Sequence, residues 1–411
     1  MRLTAVLEQR FDRTPDGRVW TPGPHGYPFW ERYLTVFSEV RVVARVRDVP
    51  ALTGSLRPAN GPGVVFAAVP HFLGPLGFLR QYLKVRRAIG RAVRDPQAGV
   101  VLLRVPGTLS SVASAALGRR PFAAEVVGDP YDQHAPGVRR HPLQAFFRRS
   151  YTRQMTEQCK RSSVTAYVTS EALQRRYPTS GQAFALSDVD LPPEAYAARP
   201  KVWHPEPHEA VMVCTLELNI KGVDAAISAV RVLRDRGRNV RLRIVGDGLL
   251  RPQFEKQAAD LGLAGQVLFV GAVAGGEAVR AQLDQCDVFL MPSRQEGLPR
   301  AMVEAMARGL PALGSEIGGI PELLGPDERF TLGPADQTHA DALQAETVAD
   351  ALQRLLGDPA RYDAQGARNL EVSRAYANSA LADTRLRFYQ AVRDLGERSE
   401  KPDRRTRDSQ G

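Results

Sequence analysis

Three cysteines in 411 residues, Cys159, Cys214 and Cys286, stand far apart with no CxxC pair among them. That excludes a disulfide framework, offers no zinc-binding spacing and points to a reducing cytosol. Long apolar runs are missing as well. The opening MRLTAVLEQRFDRTPDG holds no stretch long enough for a signal peptide. Residues 58–79 carry no Lys, Arg, Asp or Glu, but Pro58, Pro62, Pro70 and Pro75, with Gly61, Gly63, Gly74 and Gly77, interrupt them. This segment reads as a strand and loops, not as a membrane span. No G-x-G-x-x-G follows the first segment, which removes a dinucleotide-dependent oxidoreductase built on tandem Rossmann units. No helix-turn-helix, RNP or zinc pattern supports nucleic-acid binding. Acidic residues are in deficit, 45 against 55 basic ones, for a net charge of +10. Such a balance favours an anionic partner, whether nucleic acid, anionic lipid or a phosphorylated substrate.

What is present is an ordinary globular composition, 43% hydrophobic and 24% charged, in a chain long enough for two domains. Short β-rich runs at 39–46, 63–69 and 99–105 alternate with helical patterns. In FLRQYLKVRRAIGRAVR the apolar residues Tyr82, Val85, Ile89 and Val93 fall on one helix face. FAAEVVG and the run at 163–170 read as further strands, with a short helix from Glu171. Such alternation predicts a parallel sheet with helices on both faces. A proline-rich linker at 192–208 separates residues 1–191 from a second α/β unit at 209–375. A late helix at 376–396 and a charged, disordered tail at 397–411 follow. Two such sheets in tandem bind ligands beyond the carboxyl ends of their strands.

The richest strand end is SRQEGLPRAMVEAMARGLPALGSEIGGIPELL, after DVFLMP. Pro299 suits the first helical position. Glu296 then lies just ahead of the helix, in the crevice. Gly297 and Leu298 supply unpaired N–H groups at its start, where an anion can sit. Glu304 lies about a turn and a half further in, so the two carboxylates reach different parts of one ligand. A hydroxyl-rich, phosphate-bearing molecule satisfies all of these. VCTLELNIKGVD places Lys221 and Gly222 at another strand–helix junction, where a compact cation could meet a diphosphate. IVGDG, with Gly246, allows close backbone approach.

In this order and spacing, KGVDAAISAV, RIVGDGLLRPQFEKQAADLGLAGQVLFVGAV and the long stretch from Ser293 resemble the C-terminal domain of retaining glycosyltransferases of the GT-B fold, family 4. The resemblance is strong over 211–324 and weaker in the first half. It implies an α/β fold of two Rossmann-like domains facing each other across a cleft, with the C-terminal helix crossing back to the first. It also implies a nucleotide diphosphate sugar donor, a glycan or lipid-linked acceptor and retention at the anomeric carbon, without cofactor or metal. Carried over by position, Glu296 contacts the donor sugar, Glu304 the ribose hydroxyls, and Lys221 the diphosphate. Gly222, Gly246, Gly297 and Leu298 line the donor. Thr215 stands where the family often has an arginine, and Arg294 is a candidate to replace that phosphate clamp. The family's N-terminal glycine-rich loop is absent, with Gly23 and Gly26 the obvious substitutes. A non-catalytic GT-B relative that binds nucleotide or glycan is the rival from another class.

Asp188-Val-Asp190 spells a DxD, but its place before the linker reads as a turn, not a metal site. Arg104, Asp129 and His134, at strand ends of the first half, face the acceptor or the reacting carbon, or else serve as helix caps or structural ion pairs. Trp20, Tyr27 and Trp30 read as core packing, with stacking on a sugar the alternative. Two basic stretches, RQYLKVRRAIGRAVR and RRHPLQAFFRRSYTRQMTEQCKR, are solvated helix faces or an amphipathic surface for an anionic membrane. The second sets Leu143, Phe146 and Phe147 among Arg139, Arg140, Arg148 and Arg149. The expected setting is cytoplasmic, with a peripheral position at the inner membrane face left open.

Overall fold

A computed structural model describes residues 1–54, 56–133, 143–332 and 338–400, with backbone alone for 338–341 and 400. The first half builds one sheet from β1 (Arg2–Arg13), β2 (Val19–Thr21), β3 (Glu39–Asp48), β4 (Arg57–Pro58), β5 (Val64–Pro70), β6 (Val100–Val105), β7 (Ala123–Val126), β8 (Val164–Tyr167) and β9 (Gln182–Ala185). Its parallel order is β5-β3-β1-β6-β7-β8-β9, and the short β2 and β4 add antiparallel beside β1. The order reverses between β1 and β6. Helices α1 (Tyr27–Glu31), α2 (Gly74–Arg94), α3 (Thr108–Leu117), α4 (Pro130–Gln133), α5 (Gln144–Arg161) and α6 (Ala172–Arg176) connect the strands.

Helices α2, α3 and α5 share one face of this sheet. Val85, Ile89 and Val93 pack with Leu109, Ala113, Met155 and Cys159 over Val6, Val43 and Leu103. Burial of each large apolar side chain contributes about 1.5–3 kcal/mol. Two expectations need correction. The charge-free segment contains the first turns of α2 as well as β5, because Pro75 sits near the helix start, where its missing N–H costs nothing. Tyr82, counted on the inner face, is exposed, its ring edge-to-face on Phe78, which takes the place against the core one turn earlier.

The second half repeats the plan. Its strands are β10 (His208–Val213), β11 (Val240–Val245), β12 (Val267–Gly271), β13 (Val288–Met291), β14 (Ala312–Ser315) and β15 (Arg329–Phe330). All are parallel in the order β12-β11-β10-β13-β14-β15, with the reversal between β10 and β13. Its helices are α7 (Val223–Asp235), α8 (Arg251–Asp260), α9 (Glu277–Asp284), α10 (Arg300–Ala307), α11 (Ile320–Leu323), α12 (Thr338–Leu356) and α13 (Pro359–Ser373), before the last, α14 (Asn378–Glu400). The linker lies along this half. Backbone bonds from Ala197 to Ala307 and from Lys201 to Gly309 hold it, and Asp363 accepts the Trp203 N–H.

α14 returns to the first domain. Its Phe388, Tyr389, Val392 and Leu395 join Ala5, Leu7, Val42 and Phe184 in the core on the sheet's second face. The helix continues through Glu400, so the segment expected to be a tail from Glu397 is helical at its start, where Arg393 pairs with Glu397 one turn on. Residues 401–411 of that expected tail lie outside the described residues.

Candidate active site

The reversal between β10 and β13 sets their following loops side by side, and the expected donor residues gather there. Gly222 ends the β10 loop and precedes α7 with φ +68°. A Cβ there would collide with the carbonyl oxygen of Pro292, so only glycine lets the two loops touch. This contact carries Lys221 to Glu296. The Lys221 ammonium donates to Glu296 Oε1 at 2.6 Å, and the Ser293 hydroxyl donates to the same oxygen at 2.6 Å. Ser293 is itself buried, and its carbonyl accepts from the Ser315 hydroxyl. Among the described residues Glu296 Oε2 accepts no hydrogen bond, and it remains available to a ligand.

α10 begins at Arg300, with Pro299 as its N-cap, one residue later than the sequence placed it. The N–H groups of Gly297 and Leu298 donate to no backbone partner among the described residues. Together with the helix dipole they favour an anion. Glu304 is half-buried on α10, and its carboxyl has no hydrogen-bond or ion-pair partner among the described residues. Burial raises its pKa, against the lowering pull of Arg300 and Arg280. A half-buried carboxyl without a partner is a group prepared for hydroxyl donors.

Gly246, at the end of β11 with φ +143°, lies against the carbonyl of Cys214, and a Cβ would not fit. Thr215 is exposed in the β10 loop, where its hydroxyl accepts only the Glu217 N–H at 3.4 Å. Arg294 is not placed as a phosphate clamp. Its guanidinium makes two bonds to Asp224, at 2.9 and 3.0 Å, and one to Gln344 at 2.7 Å. It braces the start of α7, which brings Lys221 into place. Ser293 was not expected as a site residue from the sequence. Its signal was a hydroxyl three residues before a crevice carboxylate, the reach of a local side-chain bond.

The domains meet at these loops. Gly297 packs against the Val127 carbonyl and Gly128, just past β7. The Arg300 guanidinium donates to the Asp188 carbonyl at 2.9 Å. On the first domain's side, the residues expected to face an acceptor are engaged with one another. Arg104 is buried against Glu125, reaches Asp188 at 3.3 Å and lies over the Phe29 ring. Burial alone would lower its pKa, but Glu125 and Asp188 raise it. Asp129 accepts from Arg176, from the Tyr177 hydroxyl at 2.5 Å and from the Tyr131 N–H at 2.9 Å. Of the two readings left open for Arg104 and Asp129, cap and ion pair describe their present contacts. His134, like Arg139 and Arg140, lies outside the described residues.

Asp188 and Asp190 of the DxD pair with Arg104 and with Arg32 and Arg385, respectively. Trp30 is buried, and its indole N–H donates to the His25 carbonyl at 3.1 Å. Where the family's N-terminal glycine-rich loop was expected, β1 runs on to Arg13 and turns into β2. Gly23 lets the following segment fold back onto Gln9. This brings His25 beside Arg104, Arg32 and Arg300. Burial, and then those three cations, push its pKa down to about 2, so the ring is neutral.

Two parallel-stranded domains that meet at the carboxyl ends of their strands, with a last helix returning to the first, define the GT-B class. Sucrose-phosphate synthase from Thermosynechococcus elongatus has the same fold, with a TM-score of 0.69 over 97% of this chain and 99% of that one, at 17% identity. Residues 198–371 match the profile of the glycosyl transferases group 1 family. Protein CapJ of Staphylococcus aureus is 26% identical over 303 residues, 71% of this chain and 73% of that protein. The GDP-mannose-dependent alpha-(1-6)-phosphatidylinositol monomannoside mannosyltransferase of Mycolicibacterium smegmatis is 34% identical over 164 residues, 38% of this chain and 41% of its own length.

Proposed function

We propose that the protein moves a sugar from a nucleotide diphosphate sugar to an acceptor hydroxyl with retention of configuration, as a family 4 enzyme of polysaccharide or glycolipid assembly. The observation that carries this is the pairing of Lys221 with Glu296 at the reversal between β10 and β13, beside an unpartnered Glu304. The diphosphate sits on the Gly297 and Leu298 N–H groups with Lys221 alongside. Glu296 Oε2 accepts from a hydroxyl of the sugar, and Glu304 from the ribose. Negative charge grows on the diphosphate as the glycosidic bond breaks, and fixed donors aimed at it lower the barrier. Lys221 and the helix start supply that positive charge, so the proposal includes neither metal nor cofactor. Proton NMR of the reaction tests it. An α-linked donor must yield an α-linked product together with the free nucleoside diphosphate. A β-linked product contradicts retention, and nucleotide binding without turnover returns the non-catalytic reading.

The acceptor is proposed as a glycan or lipid-linked hydroxyl, and the protein as cytoplasmic and peripheral at the inner membrane face. Charge placement supports this. Helices α2, α3 and α5 hold eleven basic residues and a single acid, Glu157, leaving the rest of the chain with equal numbers of each sign. The same face exposes Leu76 (72%), Leu79 (71%) and Phe146 (65%) near the first turns of α2 and α5. Those turns lie at the carboxyl end of the sheet, where the cleft opens. Among the described residues no helix is long and apolar enough to cross a membrane. Sedimentation with vesicles decides the matter. We expect binding to phosphatidylglycerol vesicles, reversed by salt, and weakened by Arg86→Glu with Arg87→Glu by about 1 kcal/mol per lost cation or more. Equal binding to neutral phosphatidylcholine vesicles contradicts it.

A further inference from the structure

One carboxylate of the second domain grips the backbone of the first. Glu322, on α11, accepts three consecutive N–H groups at the start of α6. Its Oε2 takes Ser170 at 2.6 Å, and its Oε1 takes Glu171 at 3.0 Å and Ala172 at 2.8 Å. The N-cap residue Glu171 makes no such bond with its own side chain; Thr169 Oγ1 caps the next N–H, that of Leu173, at 3.0 Å, and the three before it are held from across the domain boundary. Beside this contact lies a cavity of about 830 Å³ lined from both domains, including Arg175, Arg176, Glu316 and Arg329. Glu322 thus bridges the domains next to open space, as a strut.

Both ends of the strut lead to the donor loop. On its own side, the turn before α11 is bonded to that loop, because the Gly319 N–H donates to the Gly297 carbonyl at 2.7 Å. Gly319 also lies where a Cβ would press on Leu298 and on Thr169 of the first domain. On the other side, α6 ends in Arg176, which holds Asp129 and Asp132. Asp129 adjoins Val127 and Gly128, the backbone that covers Gly297. Glu296 is therefore presented by a loop clamped from two directions through one carboxylate.

We propose that Glu322 is an interdomain positioning residue. Seated on α6, it holds the first domain over the loop that carries Glu296, and released, it lets the cleft open and uncovers that loop. This rests on the transfer reading given above. It assigns Glu322 no contact with donor or acceptor.

The test uses Glu322→Gln, which keeps the packing but offers one acceptor oxygen in place of two, and Glu322→Ala. Three quantities are read. Amide exchange over residues 169–176 should quicken by about tenfold or more. The turnover number should fall by about tenfold or more while the donor KM stays near wild type. The rise in melting temperature given by a nucleoside diphosphate should be unchanged, since the nucleotide sits within the second domain. Unchanged exchange overturns the strut. Faster exchange with normal turnover overturns its role in transfer. Loss of the nucleotide response in step with turnover would place Glu322 in the donor site instead. The exchange arm needs no turnover, so it still reads the strut if the wild-type protein transfers no sugar and the transfer reading fails.

Discussion

The two halves of the chain are built alike and use charge at their strand ends in opposite ways. In the first domain Arg104, Glu125 and Asp188 neutralise one another, as do Asp129 and Arg176, and Asp190 with Arg32 and Arg385. In the second, Glu296 keeps one oxygen without a protein partner among the described residues, Glu304 keeps its whole carboxyl, and the N–H groups before α10 stay unbonded. Charged residues in a crevice are therefore weak signs of a site. Charged residues left with unused bonding capacity are strong ones. Arg294, inside the second domain, commits both terminal nitrogens of its guanidinium to Asp224, Asn219 and Gln344.

The comparison can be broken by substitution. The largest effect is expected in the first domain. Arg104→Ala strands Glu125 in the interior, and should cost about 3–5 kcal/mol of stability in denaturant unfolding, with nucleotide binding by the folded protein unchanged. Reduced turnover at normal stability would instead make Arg104 a site residue. Glu296→Ala should do the reverse, lowering transfer by about 10²–10³-fold with a small change in melting temperature. It should also spare nucleotide affinity, and equal loss of both would remove the role assigned to it. Ser293→Ala frees the Glu296 carboxylate from one donor and should lower turnover by about tenfold, with Ser293→Thr restoring most of it.

The smallest effect is on pH dependence. Ribose hydroxyls donate to ionised Glu304, and burial raises that group's pKa. Nucleotide affinity should therefore fall on acidification from about pH 7.5 to about pH 5, and Glu304→Gln should flatten the profile. In the empty protein the sign is opposite. A carboxyl whose pKa rises on folding loses stability as pH climbs past its unfolded value, so Glu304→Gln should raise the melting temperature at neutral pH.

How much of this could be read from residues follows the same division. Lys221, Gly222, Glu296 and Glu304 were legible because each lies in a strand–loop–helix passage whose local pattern fixes where it stands. Ser293 lay within that passage, but its bond to Glu296 depends on how the turn closes. The fates of Arg104, Asp129 and Arg294 were not legible. Their partners Glu125, Arg176 and Asp224 come from other elements, 21, 47 and 70 residues away. The exposure of Tyr82 was hidden for a related reason: Phe78, one turn earlier on α2, takes the place against the core.

The central claim is that the unused bonding groups of the second domain form a nucleotide diphosphate site. The direct measurement is a titration of UDP, GDP, ADP and CMP into the purified protein without added metal, following the melting temperature. A ligand that binds only the folded state stabilises it by about 2.7 kcal/mol at a hundred times its Kd. The account predicts a clear rise with one nucleoside diphosphate, diminished in Glu304→Ala and retained in Glu296→Ala. No rise with any of the four would contradict it.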